Sequence, residues 1–551
     1  LGGGSFLLDP RAEVRNFDKL YIRQPRWWVG ALLVVYALLA TTYALYTPRW
    51  QTPDEPAHFN YIQHIATTYQ LPVLQMGDYN QELLTLLLNL RFPDGAPVQQ
   101  LRYQSYQPPL YYLTATPIYW VTGGSLLALR LWGVLLGGGV LVLIYRTLEL
   151  VFPGKPLISV SATAFAALLP MHLAVLAAVN NDGLAELLVV GALFVLLRWM
   201  HGQFYTPAQD PTPSILHPPH RGQLLWLGCL LGLGLLTKVY AYALIPICFL
   251  TVIVVVWRWQ PGGTLLKGVG SALWVLIPAV GLALPWWVRN WLLYGPWDLL
   301  GTAWHDQVVI GQPRTATWIA TEGWSAYLER ALSYTFRSFW GVFGWMSVFM
   351  DERVYTALLL FTGVLFLGLL WSLVRLISGG QDLDMDGFQI GVLALFGVTI
   401  AAVVAAYGWY NLKFVQHQGR YFLWGLLPIS TFVALGWREV LRPLQGLITG
   451  ILASVLMVSL TIIGWVSGAF AKWTLLITGL MTCFLLSQPL LHLGRNPAST
   501  HPLARLASRP AIQWTLALGR SIAWLLPFGL LTLLNLLIPV LYILPQVGPG
   551  E

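Results

Sequence analysis

Charge is what this 551-residue sequence has least of: Asp, Glu, Lys and Arg together make up 10% of it, against roughly 25% in an average soluble domain. Hydrophobic residues reach 56% and the mean hydropathy is +0.63. A water-soluble fold could not cover that much apolar surface, so the class implied is an all-α polytopic membrane protein. Cysteine is almost absent. Cys229, Cys248 and Cys483 all lie inside apolar runs, which excludes a disulfide framework and a thiolate metal cluster. Acidic residues number 23 against 31 Lys plus Arg. The surplus reads as the positive bias of cytoplasmic loops, not as a nucleic-acid footprint. No cleavable leader is evident, because a polar segment precedes the first apolar run.

Apolar runs long enough for a bilayer, roughly 17–25 residues, fall at about 28–47, 125–147, 157–179, 183–200, 222–237, 240–258, 266–288, 354–376, 389–409, 420–438, 444–467, 470–491 and 521–544. This predicts a bundle of about thirteen crossings. The basic segment 1–27, with Arg11, Arg15, Lys19, Arg23 and Arg26, places the N-terminus in the cytoplasm by the positive-inside rule. The run 108–122 is too short to cross. Kept on the outer face, it puts Arg146, Lys155, Arg198, Arg258, Arg375, Arg438 and Arg495 in inner loops; read as a span, it would put them all outside. Two long segments, about 48–124 and 290–352, then lie extracytoplasmically, and the short C-terminus joins them. Tryptophans of the second segment fit an interfacial belt.

With acids so scarce, a pair at a membrane mouth is conspicuous. Thr52-Pro53-Asp54-Glu55-Pro56-Ala57-His58 follows the first span, and ionisable groups beside a bilayer are functional candidates. Asp182, Lys238, Arg289 and Arg420 fall at the same outer ends of other spans. Arg102, His58, Gln107, Tyr111, Asn181, Trp340 and His417 lie on that face too and are candidate phosphate or substrate contacts.

Taken in order, PDEPAHFNYI, QPPLYYL (107–113), NNDGLAELL (180–188), LLTKVYA (235–241), WWVRNWLLYG (286–295), FWGVFGW (339–345) and QGRYFLWGLLP (418–428) resemble the GT-C membrane glycosyltransferases. The branch resembled holds the protein O-mannosyltransferases and lipid A aminoarabinose transferases. The resemblance covers about 28–440 and leaves 441–551 as additional helices. It implies a catalytic acid in the first outer loop and a polyprenyl-phosphate-linked sugar as donor. By position, Asp54 matches the catalytic aspartate, Glu55 completes the Asp-Glu pair, and Asp182 matches a second acid. Lys238, Arg289 and Arg420 lie where relatives hold the carrier phosphate. Gln107 departs from the pattern: the aminoarabinose branch has lysine there, so that contact falls to Arg102 or Lys238.

The chemistry stands without the family. A glycosyl phosphate leaves as an anion, so cations replace a general acid. The acceptor hydroxyl must lose a proton, which a carboxylate in hydrogen-bond reach takes. Asp54 is the expected base, with inversion. No cofactor is required, although Asp54, Glu55 and His58 share a helix face and could hold magnesium or manganese. The Pro108-Pro109 and Gly123-Gly124 punctuation marks a wedge bordering the groove for the lipid tail. Two other readings remain at this point: a transporter or flippase of a lipid-linked substrate, and an inactive subunit of a membrane complex.

Overall fold

The computed structural model describes residues 17–205, 219–378, 385–494 and 502–548. Arg11, Arg15 and Arg495 lie outside them. Helices account for nearly every element, and the sheet structure is one two-residue hairpin, Val342–Phe343 against Val348–Phe349. The chain is therefore an all-helical, multi-pass membrane protein.

Among the described residues, ten helices are long and apolar enough to cross a membrane, or up to eleven when one bent pair is taken as a single span. Each of the thirteen apolar runs carries helix, but two fall short of the expected length. Arg221–Leu235 is one, and Leu426–Val440 is the other, preceded by a 3-10 turn at Gly419–Gly425 that uses up the start of its run. The bent pair, Pro156–Leu168 and Pro170–Leu176, turns by 62°. Pro170 has no N–H to offer the Ala166 carbonyl four residues back. The His172 ring takes over, with Nδ1 2.7 Å from that carbonyl oxygen. The bend aims residues 177–181 at the mouth of the bundle, where Val179 donates to Glu55.

The run at 108–122 forms the 13-residue helix Leu110–Thr122, too short to span. It packs along Glu55–Thr68 and ends at Gly123 and Gly124, both with positive φ. Arg91 donates to the Gly548 carbonyl and Gln546 to that of Phe349. The end of the C-terminal helical stretch thus lies beside both long loops.

The helices beyond 440 are joined to the rest. Tyr43 donates to Asn535 at 2.9 Å, and Trp524 to Ser161 at 2.9 Å. At the opposite end of the bundle from Asp54, buried Arg438 holds Asp18 at 2.9 Å and Glu439 at 3.1 Å. That fastens the segment before the first span.

Candidate active site

Asp54 is the residue before the Glu55–Thr68 helix, with φ +67°. Left-handed backbone is uncommon outside glycine, and Asp tolerates it better than most. An Asp in this position ordinarily caps the helix amides. Here its carboxylate makes no cap bond. It accepts instead from Tyr103 at 2.9 Å on one oxygen and from Arg420 at 3.2 Å on the other. Strain at a residue whose side chain is turned away from its local duty is a mark of a functional site.

Arg420 arrives from the far end of the sequence on the 3-10 turn Gly419–Gly425. Gly419 is what lets it come so near: a Cβ there would sit 2.2 Å from the Phe339 amide nitrogen. The Gly419 N–H donates to Ser338 at 2.7 Å, which fixes the turn.

Asp182 opens the Asp182–Tyr205 helix, and its carboxylate meets Lys238 at 2.6 Å. Lys238 follows the short Pro219–Leu235 helix and lies 5.6 Å from the Tyr240 ring centre. The two pairs are close enough to be coupled by charge. His58 feels the charges of Asp54, Lys238, Asp182 and Arg420 together, and Arg420 feels Asp54 and Asp182. The side chains of the four charged residues remain 16–28% exposed, so none of them is sealed from solvent.

Burial works to raise the pKa of Asp54, and the charges of Arg420 and His58 with the Tyr103 hydrogen bond outweigh it. The carboxyl therefore stays ionised below its usual value of 3.8. Burial pushes His58 down to about 4, so it is neutral at physiological pH. Its Nδ1 lies 2.8 Å from the Tyr112 hydroxyl.

Glu55, expected beside Asp54 in the chemistry, is turned the other way. It is fully buried, and Arg130 grips both its oxygens at 2.8 and 2.7 Å. The amides of Trp50 and Val179 fill its remaining capacity. Arg130 also donates to the carbonyls of Ala44, Thr47 and Pro48, which closes the end of the first span. Glu55 positions the loop and has no free oxygen to offer a substrate.

Other sequence-predicted residues divide. Gln107 and Asn181 sit in the wall behind the mouth, Asn181 donating to Gln107 at 3.3 Å and to the Thr237 carbonyl at 3.0 Å. Tyr111 is fully buried in the same wall. Arg289 lies apart from the acids, stacked on Trp286 and bonded to the Pro72 carbonyl. Arg102 pairs with Asp78 at 2.6 Å. Trp340 is a core residue packed on Phe165 and Phe361, with no face for a sugar. His417 is buried against Tyr327. The Asp54, Glu55 and His58 side chains do not converge as a metal site, since Arg130 occupies Glu55 and His58 faces Tyr112. Among the described residues no group of three His, Cys, Asp or Glu is placed to hold an ion.

Sequence reasoning missed Arg130, Tyr103 and the aromatic rim of Tyr106 on His305, whose ring centres are 4.2 Å apart. Arg130 had a signal: a lone cation near the start of the apolar run Leu126–Val151. Tyr103 had none.

No family model matches the chain, and no curated protein matches it by sequence. Solved structures do resemble it. One is the Archaeoglobus fulgidus oligosaccharyltransferase tethered to an acceptor peptide, 14% identical, TM-score 0.46, covering 88% of this chain and 59% of that one. The same organism's enzyme AglB with an inhibitory peptide and a dolichol-phosphate is 12% identical, TM-score 0.45, at 89% and 60% coverage. ArnT from Cupriavidus metallidurans bound to undecaprenyl phosphate is 13% identical, TM-score 0.42, at 93% and 77%. Both enzymes are GT-C membrane glycosyltransferases. The chain spans about three-fifths of the length of the oligosaccharyltransferases it matches. At these TM-scores the reading of function rests on the residues around Asp54.

Proposed function

We propose that this chain is a glycosyltransferase that moves a sugar from a polyprenyl phosphate to an acceptor hydroxyl on the extracytoplasmic side of the membrane. The observation that carries the reading is the meeting of Asp54 with Arg420 at 3.2 Å, next to the Asp182–Lys238 pair. A part-exposed carboxylate and two cations, drawn from separated segments, are the groups that displacement at a glycosyl phosphate needs.

Each cation faces an acid, so the mouth is close to neutral and poised for exchange. A phosphate brings more negative charge than a carboxylate and competes for both. Arg420 presents a fork that can hold a phosphate oxygen in place of Asp54, while Lys238 adds a point charge. Asp54 is then released toward the acceptor. The acceptor O–H proton passes to Asp54, the oxygen bonds to the anomeric carbon, and the carbon–oxygen bond to phosphate breaks with its electron pair leaving on phosphate. The Tyr103 hydroxyl holds the base in place. Attack opposite the leaving group inverts the anomeric configuration. Charge bias assigns this mouth to the outside, and the Leu110–Thr122 helix borders the entry of the lipid tail.

The test is to incubate purified protein with a panel of polyprenyl-phosphate sugars and hydroxyl acceptors. Free polyprenyl phosphate should appear with a product of inverted anomeric configuration. A product that keeps the donor's configuration contradicts the mechanism.

A further inference from the structure

Several arginines around the two long loops are paired with acids. Arg314 meets Asp306, Arg337 meets Glu352, Arg102 meets Asp78 and Arg420 meets Asp54. Arg330, on the Thr315–Gly341 helix, has no acid partner among the described residues. It lies over the Tyr334 ring at 4.1 Å, and its Nε is buried without a hydrogen-bond partner. Its charge falls on His417.

His417 is itself unusual. It is 4% exposed, its ring meets the edge of Tyr327 at 4.8 Å, and neither ring nitrogen has a hydrogen-bond partner. The next residue, Gln418, has a buried side-chain oxygen in the same condition. Leaving such groups unpaired costs their desolvation, and native structures seldom tolerate several in one place. The backbone there is held firmly, with Ser338 bonded to the Gly419 amide, so the arrangement is not a loose loop end.

We infer that Arg330, His417 and Gln418 form a second oxyanion site, separate from the carrier phosphate at Lys238 and Arg420, that takes a singly protonated phosphate or the phosphate headgroup of a membrane lipid. Arg330 and one ring N–H of His417 donate to the anion. The other His417 nitrogen and the Gln418 oxygen accept from a P–OH or a headgroup hydroxyl. Both lipid and free phosphate share this chemistry. The exposed face of the same helix, with Trp324 at 63% and Leu332 at 76%, suits contact with a lipid layer.

The experiment uses the full chain in nanodiscs. Calorimetry with inorganic phosphate in phosphatidylcholine discs reads the free ion. Native mass spectrometry after release from mixed phosphatidylglycerol and phosphatidylcholine discs reads the lipid. Either response supports the site if, in the Arg420→Met background that removes the carrier-phosphate contact, a response remains that Arg330→Met and His417→Phe each weaken about tenfold or more. His417→Gln, which keeps one donor, should weaken it less, and elution and melting temperature check folding. A phosphate response lost in Arg420→Met but kept in Arg330→Met, or no preference for phosphate over chloride and for phosphatidylglycerol over phosphatidylcholine, overturns the inference. Loss of glycosyl transfer in Asp54→Asn bears only on the catalytic reading.

Discussion

Asp54 and Glu55 are adjacent in sequence and opposite in circumstance: Arg130 closes both oxygens of a fully buried Glu55, while Arg420 holds one oxygen of a part-exposed Asp54. One acid builds the loop and the other is left able to act. The two arginines differ in the same way. Arg130 also bonds carbonyls at the end of the first span, whereas Arg420 meets Asp54 and lies over the Tyr421 ring.

Breaking the Glu55–Arg130 pair should therefore damage the fold first. Its side chains are 0% and 4% exposed, and removal of one partner strands the other charge. Arg130→Met is expected to destabilise by about 3–5 kcal/mol, seen as a lowered melting temperature in detergent. Arg130→Met with Glu55→Gln should recover part of that loss. A single variant that melts like the parent would remove the pair from this role.

The two catalytic-side cations and Arg289 should separate in a transfer assay. Arg420→Met is expected to lower kcat/KM by roughly 10²–10³, the usual cost of removing one charge-stabilising donor. Arg289→Met should have a much smaller effect, because that side chain is spent on Trp286 and the Pro72 carbonyl. Equal losses in the two variants would place Arg289 at the phosphate after all.

Stability should fall on acidification through His58. Burial lowers its folded value to about 4 from 6.5, so between these values the unfolded chain binds a proton that the folded chain does not. The contribution is fully present above 6.5 and is lost as pH falls toward 4. Melting temperature should drop across that window, with a shallower slope in His58→Gln. An identical slope in the variant would mean that His58 does not carry the effect.

The acid limb of the rate profile tests the electrostatics of the base. Burial raises the Asp54 value, and Arg420 is the first of the groups that lower it below 3.8. Without Arg420 the burial remains and the attraction is gone, so the limb in Arg420→Met should move to higher pH. A limb that stays in place or moves down would assign the titration to another group.

Much of this architecture was legible from charge and apolar length. Those runs located nearly all the helices, and residues expected at the ends of different spans form the pairs Asp54–Arg420 and Asp182–Lys238. Length failed where backbone chemistry intervened: Pro170 broke one span, and a 3-10 turn took the start of another so that Arg420 could reach Asp54. Orientation was not legible. Spacing put Asp54, Glu55 and His58 on one face, but the left-handed Asp54 backbone and the bonds to Arg130 and Tyr112 sent them three ways. Trp340 illustrates the same gap, since no local pattern tells a core tryptophan from a sugar platform.

The most direct measurement is the single-turnover transfer rate of Asp54→Asn, with a polyprenyl-phosphate sugar that the parent protein uses. The isosteric amide keeps the shape of the loop and cannot accept the proton. The account predicts a loss of about 10²–10⁴ in rate with an unchanged elution profile. A rate within a few-fold of the parent, from protein that elutes and melts normally, would contradict Asp54 as the base.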